Sequence, residues 1–247
     1  MRPLFPFYGS KWQCARRYPK PHNGVVVEPF AGSAGYSTFY APEKVLLLDV
    51  DPIIVAVWQY LIRVTPSEIL ALPDLAPGQS VDSLALPQEA RWLIGFWLNR
   101  GSAQPKKTQT AFSARAERGQ LVWSARARER IAVEVEGVRR WEIRQGSYES
   151  APRIEATWFV DPPYVTKGKY YRFRDVDYPA LGLWSRELPG QVIACEQVGA
   201  TWLPFEPLAV IRSTRGTSAE AVFTQGVPDA VDRQTSLLWY GNEVERG

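Results

Sequence analysis

Short apolar runs alternate with amphipathic stretches along the chain, a pattern typical of α/β proteins. The first run, residues 24–28, is rich in β-branched valine and predicts a buried strand. A glycine-rich turn follows, and a helix is predicted to begin at Tyr36. A second strand is predicted at residues 45–49 and a helix at residues 52–64. The chain therefore opens with a predicted βαβ unit.

The middle of the chain is predicted to be mainly helical. The segment Thr65-Pro66-Ser67-Glu68 is a capping box with proline in the first helical turn, which predicts the start of a helix. Apolar residues on one broad face predict a helix at residues 88–100, and a polar loop is predicted at residues 101–119. A further helix is predicted over residues 124–138, with Ser124 as its cap.

Strand patterns return in the last third of the chain. Six apolar runs predict strands at residues 141–144, 158–160, 192–195, 208–212, 221–224 and 237–240. The last strands are predicted to form an antiparallel hairpin. The whole pattern predicts an α/β sheet with an inserted helical module.

Composition limits the class of protein. The chain has 247 residues and is 45% hydrophobic, which suits one α/β domain, or one domain with a modest insertion. Its start has no continuous apolar segment and no apolar run of eighteen residues occurs, so we expect a cytoplasmic protein without a membrane span. The chain has two cysteines, Cys14 and Cys195, and one histidine, His22, so we expect reduced thiols and no metal site.

Charge is concentrated in the middle of the chain. The net charge is +3, but ten basic residues face four glutamates between Arg100 and Arg140, a local excess of six. The basic residues are Arg100, Lys106, Lys107, Arg115, Arg118, Arg126, Arg128, Arg130, Arg139 and Arg140. This excess permits nucleic-acid binding, and the alternative is a solvated helical surface with ordinary ion pairs.

The turn after the first strand is typical of a nucleotide-type site. It reads Glu28-Pro29-Phe30-Ala31-Gly32-Ser33-Ala34-Gly35, and its glycines allow a ligand to approach the backbone. Asp49 ends the next strand, where a carboxylate can accept both ribose hydroxyls. An adenosyl compound and a dinucleotide both fit, although the glycine spacing disfavours NAD. The alternative is a tight strand-to-helix turn without a ligand.

The segment Asp161-Pro162-Pro163-Tyr164 follows the predicted strand at residues 158–160. The Asp161 carboxylate and the Pro162 carbonyl can accept the two N–H bonds of an amino group on a planar ring, and proline fixes the carbonyl direction. Tyr164 offers an aromatic face to a base taken out of a helix. Accepting both N–H bonds raises electron density on a weakly nucleophilic nitrogen. The segment therefore predicts amino-methylation of a nucleobase, with an ordinary strand-ending turn as the alternative.

At these residues the chain resembles the Dam-like family of DNA adenine-N6 methyltransferases in its compact phage and prophage form. The resemblance covers nearly the whole chain. Its segments are Phe7-Tyr8-Gly9-Ser10-Lys11-Trp12, Glu28 to Tyr36, Arg91 to Gly101, Ala156 to Tyr164 and Cys195-Glu196-Gln197. It implies a Rossmann-like class-I methyltransferase sheet formed by residues 1–64 and 141–247. Residues 65–140 would be an inserted, mainly helical module that recognises the DNA target.

The resemblance also implies functional residues. The implied cofactor is S-adenosyl-L-methionine, bound by Tyr8, Lys11, Trp12, Glu28, Phe30, Gly32, Ser33, Gly35, Asp49, Ser147 and Tyr148. The implied catalytic residues are Asp161, Pro162, Pro163 and Tyr164, and the DNA-binding residues are Arg100, Lys106, Lys107, Arg115, Arg126 and Arg130. Ser147 is a departure, because the family often has an acid there and serine binds an adenine amino group more weakly.

The resulting hypothesis is direct methyl transfer to adenine N6 of a base flipped out of double-stranded DNA. It requires no metal and no covalent enzyme intermediate, a monomer is compatible with it, and a bacterial or phage-infected cell is the expected setting. The alternatives are methylation of cytosine N4, RNA or a protein amide, a DNA-binding homologue that has lost catalysis, and, more distantly, a dehydrogenase.

Overall fold

The computed structural model describes residues 1–98, 102–109, 122–166, 170–213 and 216–227, and these form a mixed sheet of seven strands with helices around it. The strands are β1 (Val26–Glu28), β2 (Val45–Asp49), β3 (Glu142–Gln145), β4 (Ala156–Val160), β5 (Gly190–Gln197), β6 (Glu206–Ser213) and β7 (Gly216–Gln225). Their order across the sheet is β3-β2-β1-β4-β5-β7-β6. Strands β1 to β5 pair in parallel, and β7 runs antiparallel between β5 and β6. The fold is α/β and compatible with a Rossmann-like sheet.

Helices connect the strands. The α-helices of the described residues are α1 (Gly35–Tyr40), α2 (Pro52–Arg63), α3 (Pro66–Leu70), α4 (Gln88–Leu98), α5 (Ala125–Glu134) and α6 (Tyr178–Arg186). Shorter 3-10 helices lie at Lys11–Gln13, Ala15–Arg17, Val81–Ser83, Val135–Val138 and Tyr148–Ser150. Among the described residues, none of these helices has the length and hydrophobicity needed to cross a membrane.

Alternation of side chains along the strands creates two cores. Val45 and Leu47 of β2 face a core that also contains Trp58 of α2, whereas Leu46 and Leu48 face the core on the opposite side of the sheet. Successive residues of a strand point to opposite faces, so a strand covered on both sides is apolar throughout. This explains why the central strands β1, β2 and β4 were predictable as apolar runs.

The predicted helix starts are confirmed at two positions. Asp51 caps α2, since its side chain accepts a hydrogen bond from the Ile53 amide at 2.9 Å. Both bonds of the predicted capping box at α3 are present: the Glu68 amide donates to the Thr65 hydroxyl at 3.2 Å, and the Thr65 amide donates to the Glu68 carboxylate at 2.8 Å. Local sequence alone therefore determines where these helices begin.

Other sequence predictions differ from the structure in detail. The predicted helix over residues 124–138 ends as the 3-10 segment Val135–Val138. Helix α6 was not predicted, although Asp177 caps it by accepting from the Ala180 amide at 3.0 Å. Strands β6 and β7 pair in antiparallel orientation, but the hairpin predicted at the end of the strand pattern includes residues 237–240 and is not tested by the described residues. The strand predicted at residues 237–240 lies outside the described residues.

The helices of the middle of the chain pack on the sheet domain. Trp97 of α4 and Ile131 of α5 belong to the same core as Trp58 of α2. The Trp97 indole nitrogen donates to the carbonyl of Leu4 at 3.1 Å, which ties α4 to the N-terminal segment. The described part of residues 65–140 thus shares its core with the sheet instead of enclosing one of its own.

Candidate functional site

A cavity of about 330 Å³ opens at the carboxyl ends of β1, β2 and β4. Parallel strands bring their carboxyl ends to one edge of a sheet, and ligands of open α/β sheets bind at that edge. Twelve of the residues singled out in the sequence line the cavity: Tyr8, Lys11, Glu28, Phe30, Gly32, Ser33, Gly35, Asp49, Ser147, Tyr148, Asp161 and Pro163. The glycine-rich turn and the Asp161 segment, 126 residues apart from Gly35 to Asp161, therefore share one space.

Asp49 holds the glycine-rich turn in place. One of its carboxylate oxygens accepts from the Gly32 amide at 3.0 Å, and the other accepts from the Asp51 amide at 2.9 Å. Gly32 has a φ of +46°, and a Cβ there would lie 2.9 Å from the Phe7 ring. The Trp58 indole nitrogen donates to the Gly32 carbonyl at 2.8 Å, which fixes the turn from the other side. A glycine is required here by both conformation and space.

The N-terminal segment packs directly on the start of α1. A Cβ on Gly35 would lie 2.6 Å from the Lys11 amide nitrogen and 2.8 Å from that of Trp12. The hydroxyls of Ser33 and Ser10 form a hydrogen bond at 2.9 Å between the turn and this segment. The close approach places the side chain of Lys11 in the cavity wall.

Two buried carboxyl groups of the cavity prefer the protonated state more than usual. Burial raises the pKa of Glu28 to about 8, although the hydrogen bond that it accepts from the Ser37 amide at 2.7 Å opposes the shift. Burial also raises the pKa of Asp49 to about 6, against the opposing effect of its bonds from Asp51 and Gly32. Loss of hydration disfavours the charged form of a carboxyl group, and neither site has enough donors to compensate fully.

Replacing Glu28 by glutamine is expected to change the pH dependence of stability. The folded-state pKa of Glu28 lies above its unfolded value, so the native protein loses stability as the pH rises from about 4.5 to about 8. Each unit of difference corresponds to about 1.4 kcal/mol. Glutamine keeps the acceptor for Ser37 without the charge, so the variant should be more stable than the native protein at pH 8 and similar to it at pH 5. Urea unfolding at both values measures the effect, and equal curves at pH 8 would refute it.

Asp161 and Lys11 form a nearly buried ion pair. Lys11 Nζ lies 2.8 Å from Asp161 Oδ1, and the two side chains are 9% and 19% exposed. Burial raises the pKa of Asp161 to about 6, with Lys11 opposing the shift and Glu220 and Glu196 adding to it. Burial opposes the charge of Lys11, but attraction to Asp161 and Glu220 outweighs it and raises the pKa of Lys11.

Tyr164 and Pro162 lie behind the cavity wall. Neither lines the cavity, and both are buried. Lys11 Nζ lies 4.5 Å from the centre of the Tyr164 ring, and the Tyr164 hydroxyl donates to the Glu220 carboxylate. The ring face predicted to stack on a base is thus covered by Lys11 in this structure. Pro163 does line the cavity, and its carbonyl accepts from the Tyr178 hydroxyl at 2.5 Å.

The aromatic residues of the site divide into two groups. Phe30 and Tyr148 stack with ring centres 5.8 Å apart at 29°, and both line the cavity, as expected for a surface that contacts a flat ring. Trp12 does not line the cavity. Its indole nitrogen donates to the Met1 carbonyl at 2.8 Å and its ring packs edge-on against Phe39, so it anchors the N-terminus.

Sequence reasoning missed the segment between the Asp161 motif and α6. Its residues Tyr171, Arg172, Phe173, Asp175, Val176 and Asp177 line the cavity. The Tyr171 hydroxyl donates to the Tyr8 carbonyl at 3.2 Å and lies 2.2 Å from where a Cβ on Gly9 would be. This segment is rich in aromatic and charged residues, which could have indicated a binding segment, but it matches no motif used in the sequence analysis.

The predicted DNA-binding residues differ in their surroundings. Lys106 and Arg126 are exposed, and Lys107 is exposed but paired with Asp82 at 2.8 Å. Arg130 donates to the Pro3 carbonyl at 2.8 Å and lies 4.6 Å from the Trp97 ring centre, so it stabilises the fold. Arg100 and Arg115 lie outside the described residues. Part of the positive charge between Arg100 and Arg140 therefore belongs to residues that stabilise the fold.

The charged groups that line the cavity are mostly acidic. Seven carboxyl groups line the cavity, from Glu28, Asp49, Asp51, Glu149, Asp161, Asp175 and Asp177, and two cations, Lys11 and Arg172, face them among the described residues. The described residues contain no group of three or more histidine, cysteine or acidic side chains arranged to hold a metal ion.

No protein-family model matches this chain, and neither does any curated protein.

Proposed function

We propose that this chain is an S-adenosylmethionine-dependent methyltransferase that acts on adenine N6 of a base flipped out of double-stranded DNA. The observation that carries the proposal is the shared cavity. Asp161, predicted to hold an amino group, lies in the same wall as Asp49 and the glycine-rich turn, predicted to hold a methyl donor. Direct transfer needs both reactants side by side in one space.

The fold supports this proposal. The mostly parallel sheet, with antiparallel β7 between β5 and β6, is compatible with the Rossmann-like class-I methyltransferase sheet that the resemblance implies. The glycine-rich turn follows β1 and the Asp161 segment follows β4, and these two strands are neighbours. Because fold alone does not determine function, the proposal depends mainly on the residues of the site.

The volume and charge of the cavity support the proposed cofactor. Its volume of about 330 Å³ lies within the range of small-molecule sites, about 300–1,000 Å³. The excess of carboxyl groups favours a cationic ligand over a dinucleotide, whose pyrophosphate would meet repulsion. When bound, S-adenosylmethionine supplies an electrophilic methyl group on a positively charged sulfur. Asp49 would hold its ribose hydroxyls, and Phe30 and Tyr148 would contact its adenine ring.

The protein's own residues would orient the target amino group. Asp161 would accept one N–H bond once Lys11 leaves its Oδ1, and the carbonyl of Pro162, which lies behind the cavity wall, would accept the other. Both bonds strengthen as the nitrogen becomes pyramidal, so they stabilise the transition state more than the ground state. Lys11 beside Asp161 favours the ionised carboxylate. The proton of the methylated nitrogen leaves to solvent.

The test measures transfer and its product together. The purified protein is incubated with cofactor carrying a labelled methyl group and with unmethylated DNA, and the digested product is analysed by mass spectrometry. We expect N6-methyladenine. N4-methylcytosine would instead support the cytosine alternative, labelled RNA or protein would support those substrates, and cofactor binding without transfer would support a homologue that has lost catalysis. Sequencing with detection of modified bases then gives the target site.

Arg126 and Arg130 are expected to behave differently when each is replaced by alanine. Arg126 is exposed on α5, so its loss should weaken DNA binding and reduce the slope of log affinity against log salt by about 1. Burial lowers the pKa of Arg130 to about 10, and its contacts to Pro3 and Trp97 hold the fold. The main effect of Arg130→Ala should therefore be a lower melting temperature. DNA titrations at several salt concentrations and thermal unfolding separate the two, and an Arg126 variant with an unchanged slope would contradict the assignment.

A further inference from the structure

Glu220 is a charged residue in an unusual place. It lies within β7, which is flanked on both sides by strands, and only 6% of its surface is exposed. Its backbone pairs with Gln197 of β5 and Ala209 of β6. A buried carboxylate is costly unless donors or a cation compensate it. Its position in the sheet interior therefore requires a compensating partner.

The partners of Glu220 lead to the candidate site. One carboxylate oxygen accepts from the Tyr164 hydroxyl, and the other accepts from the Ser218 hydroxyl at 3.0 Å. Its negative charge, like that of Asp161, raises the pKa of Lys11. Lys11 is thus a buried cation that pairs with Asp161 and lies over the Tyr164 ring, whose hydroxyl bonds Glu220.

Lys11 already makes the two contacts that the proposed function assigns to the target base. Its ammonium contacts Asp161 Oδ1 at 2.8 Å and lies 4.5 Å from the Tyr164 ring centre. A base that stacks on Tyr164 must displace the ammonium from the ring, and a base that donates to Asp161 Oδ1 must displace it from that oxygen. An ammonium left without a carboxylate in such a site is strongly destabilising.

We propose that Glu220 is a positioning residue that receives Lys11 when the amino group of the target base takes Asp161. This inference rests on the proposed function. Glu220 bonds the hydroxyl end of the same ring that Lys11 covers, so the lysine reaches it by moving along Tyr164 without leaving the buried region. Asp161 is then free to accept the amino group, and Lys11 stays charged and paired. The same carboxylate holds the Tyr164 ring in place throughout.

The first experiment measures the coupling between Lys11 and Glu220 without DNA or cofactor. Thermal unfolding is compared for the native protein, Lys11→Met, Glu220→Gln and the double variant. Glutamine keeps an acceptor for the Tyr164 hydroxyl, so the cycle isolates the charge. We expect Glu220→Gln to lower the melting temperature by about 6 °C or more in the native background and to be neutral or stabilising in the Lys11→Met background. Additive effects would overturn the proposal.

A control variant and a second comparison make the result of the double-variant cycle interpretable. Glu187→Gln removes an exposed carboxylate that pairs with Arg153 at 3.0 Å, and a surface pair of this kind should change the melting temperature little. If Glu220→Gln alone does not fold, Lys11→Met is compared with the double variant. The proposal then requires the double variant to be at least as stable, and lower stability would overturn it.

The second experiment measures turnover. Single-turnover methyl transfer by Glu220→Gln should fall by about tenfold or more, while the dissociation constant for cofactor changes by less than about threefold, because the loss arises when the base enters. Tyr164→Phe removes only the hydroxyl bond and should lose less. An unchanged rate for Glu220→Gln would overturn the proposal even where the unfolding cycle shows coupling. Failure of the native protein to methylate DNA is a different result, since it contradicts the proposed function and leaves the measured coupling intact.

Discussion

Asp161→Asn is expected to reduce the rate of methyl transfer by about 10²–10³-fold while cofactor binding stays within a few-fold of native. Asparagine keeps the shape of the side chain and one oxygen, but it removes the charge that pulls electron density toward the target nitrogen. Asp161→Ala removes the acceptor altogether and should be at least as damaging. Single-turnover assays with labelled cofactor give the rate, and equilibrium titration with cofactor gives the affinity.

The ion pair with Lys11 complicates a simple interpretation of these variants. Removing one partner of a buried pair costs about 3–5 kcal/mol, because the other charge is left without compensation. The two side chains are 9% and 19% exposed, so the lower end of that range is expected. Combining Lys11→Met with Asp161→Asn removes both charges and should restore the melting temperature but not the activity. Near-native transfer by either folded Asp161 variant would exclude the proposed mechanism.

The sequence predicts those parts of the site that follow from local rules. Asp49 and Asp161 each come directly after an apolar run, and a residue at the end of a parallel strand lies at the binding edge of the sheet. The glycines of the turn mark positions where the backbone is approached closely, as the neighbours of Gly32 and Gly35 confirm. For these residues, position along the chain determines position in space.

Other contacts are beyond the reach of local rules. Tyr164 was expected to face a base, but its hydroxyl bonds Glu220, which is 56 residues away on an antiparallel strand. Lys11 was expected at the cofactor, and it also pairs with Asp161. Such pairs depend on how distant segments pack, and a sequence pattern does not encode them. Arg130 and Arg126 look alike in sequence, yet one packs on Trp97 and the other is exposed.

The acidic character of the cavity gives the proposed site a preference between charged ligands. Seven carboxyl groups against two cations attract a cationic ligand before any specific contact forms. The raised pKa values of Glu28 and Asp49 show that burial reduces this negative charge below its formal value near neutral pH. Attraction to a cation would favour ionisation of both groups, so cofactor binding should release protons.

Gly35→Ala is expected to weaken cofactor binding by about 100-fold or more and to lower stability by about 1–3 kcal/mol. The added Cβ would lie 2.6 Å from the Lys11 amide nitrogen and 2.8 Å from that of Trp12, and backbone atoms cannot give way as a flexible side chain can. The N-terminal segment must move away from α1, which carries Lys11 and Tyr8 out of the cavity wall. The ion pair with Asp161 is lost with it.

Gly24→Ala is the matched control for this change. A Cβ on Gly24 would meet no atom within 4 Å, so this variant should keep native stability, cofactor affinity and activity. Cofactor titration and thermal unfolding of both variants test the contrast. Native cofactor affinity in Gly35→Ala would show that the docked N-terminal segment is not part of the binding site. The same segment brings Lys11 to Asp161. Native cofactor affinity in Gly35→Ala would therefore also show that cofactor binding does not depend on the contact between Lys11 and Asp161.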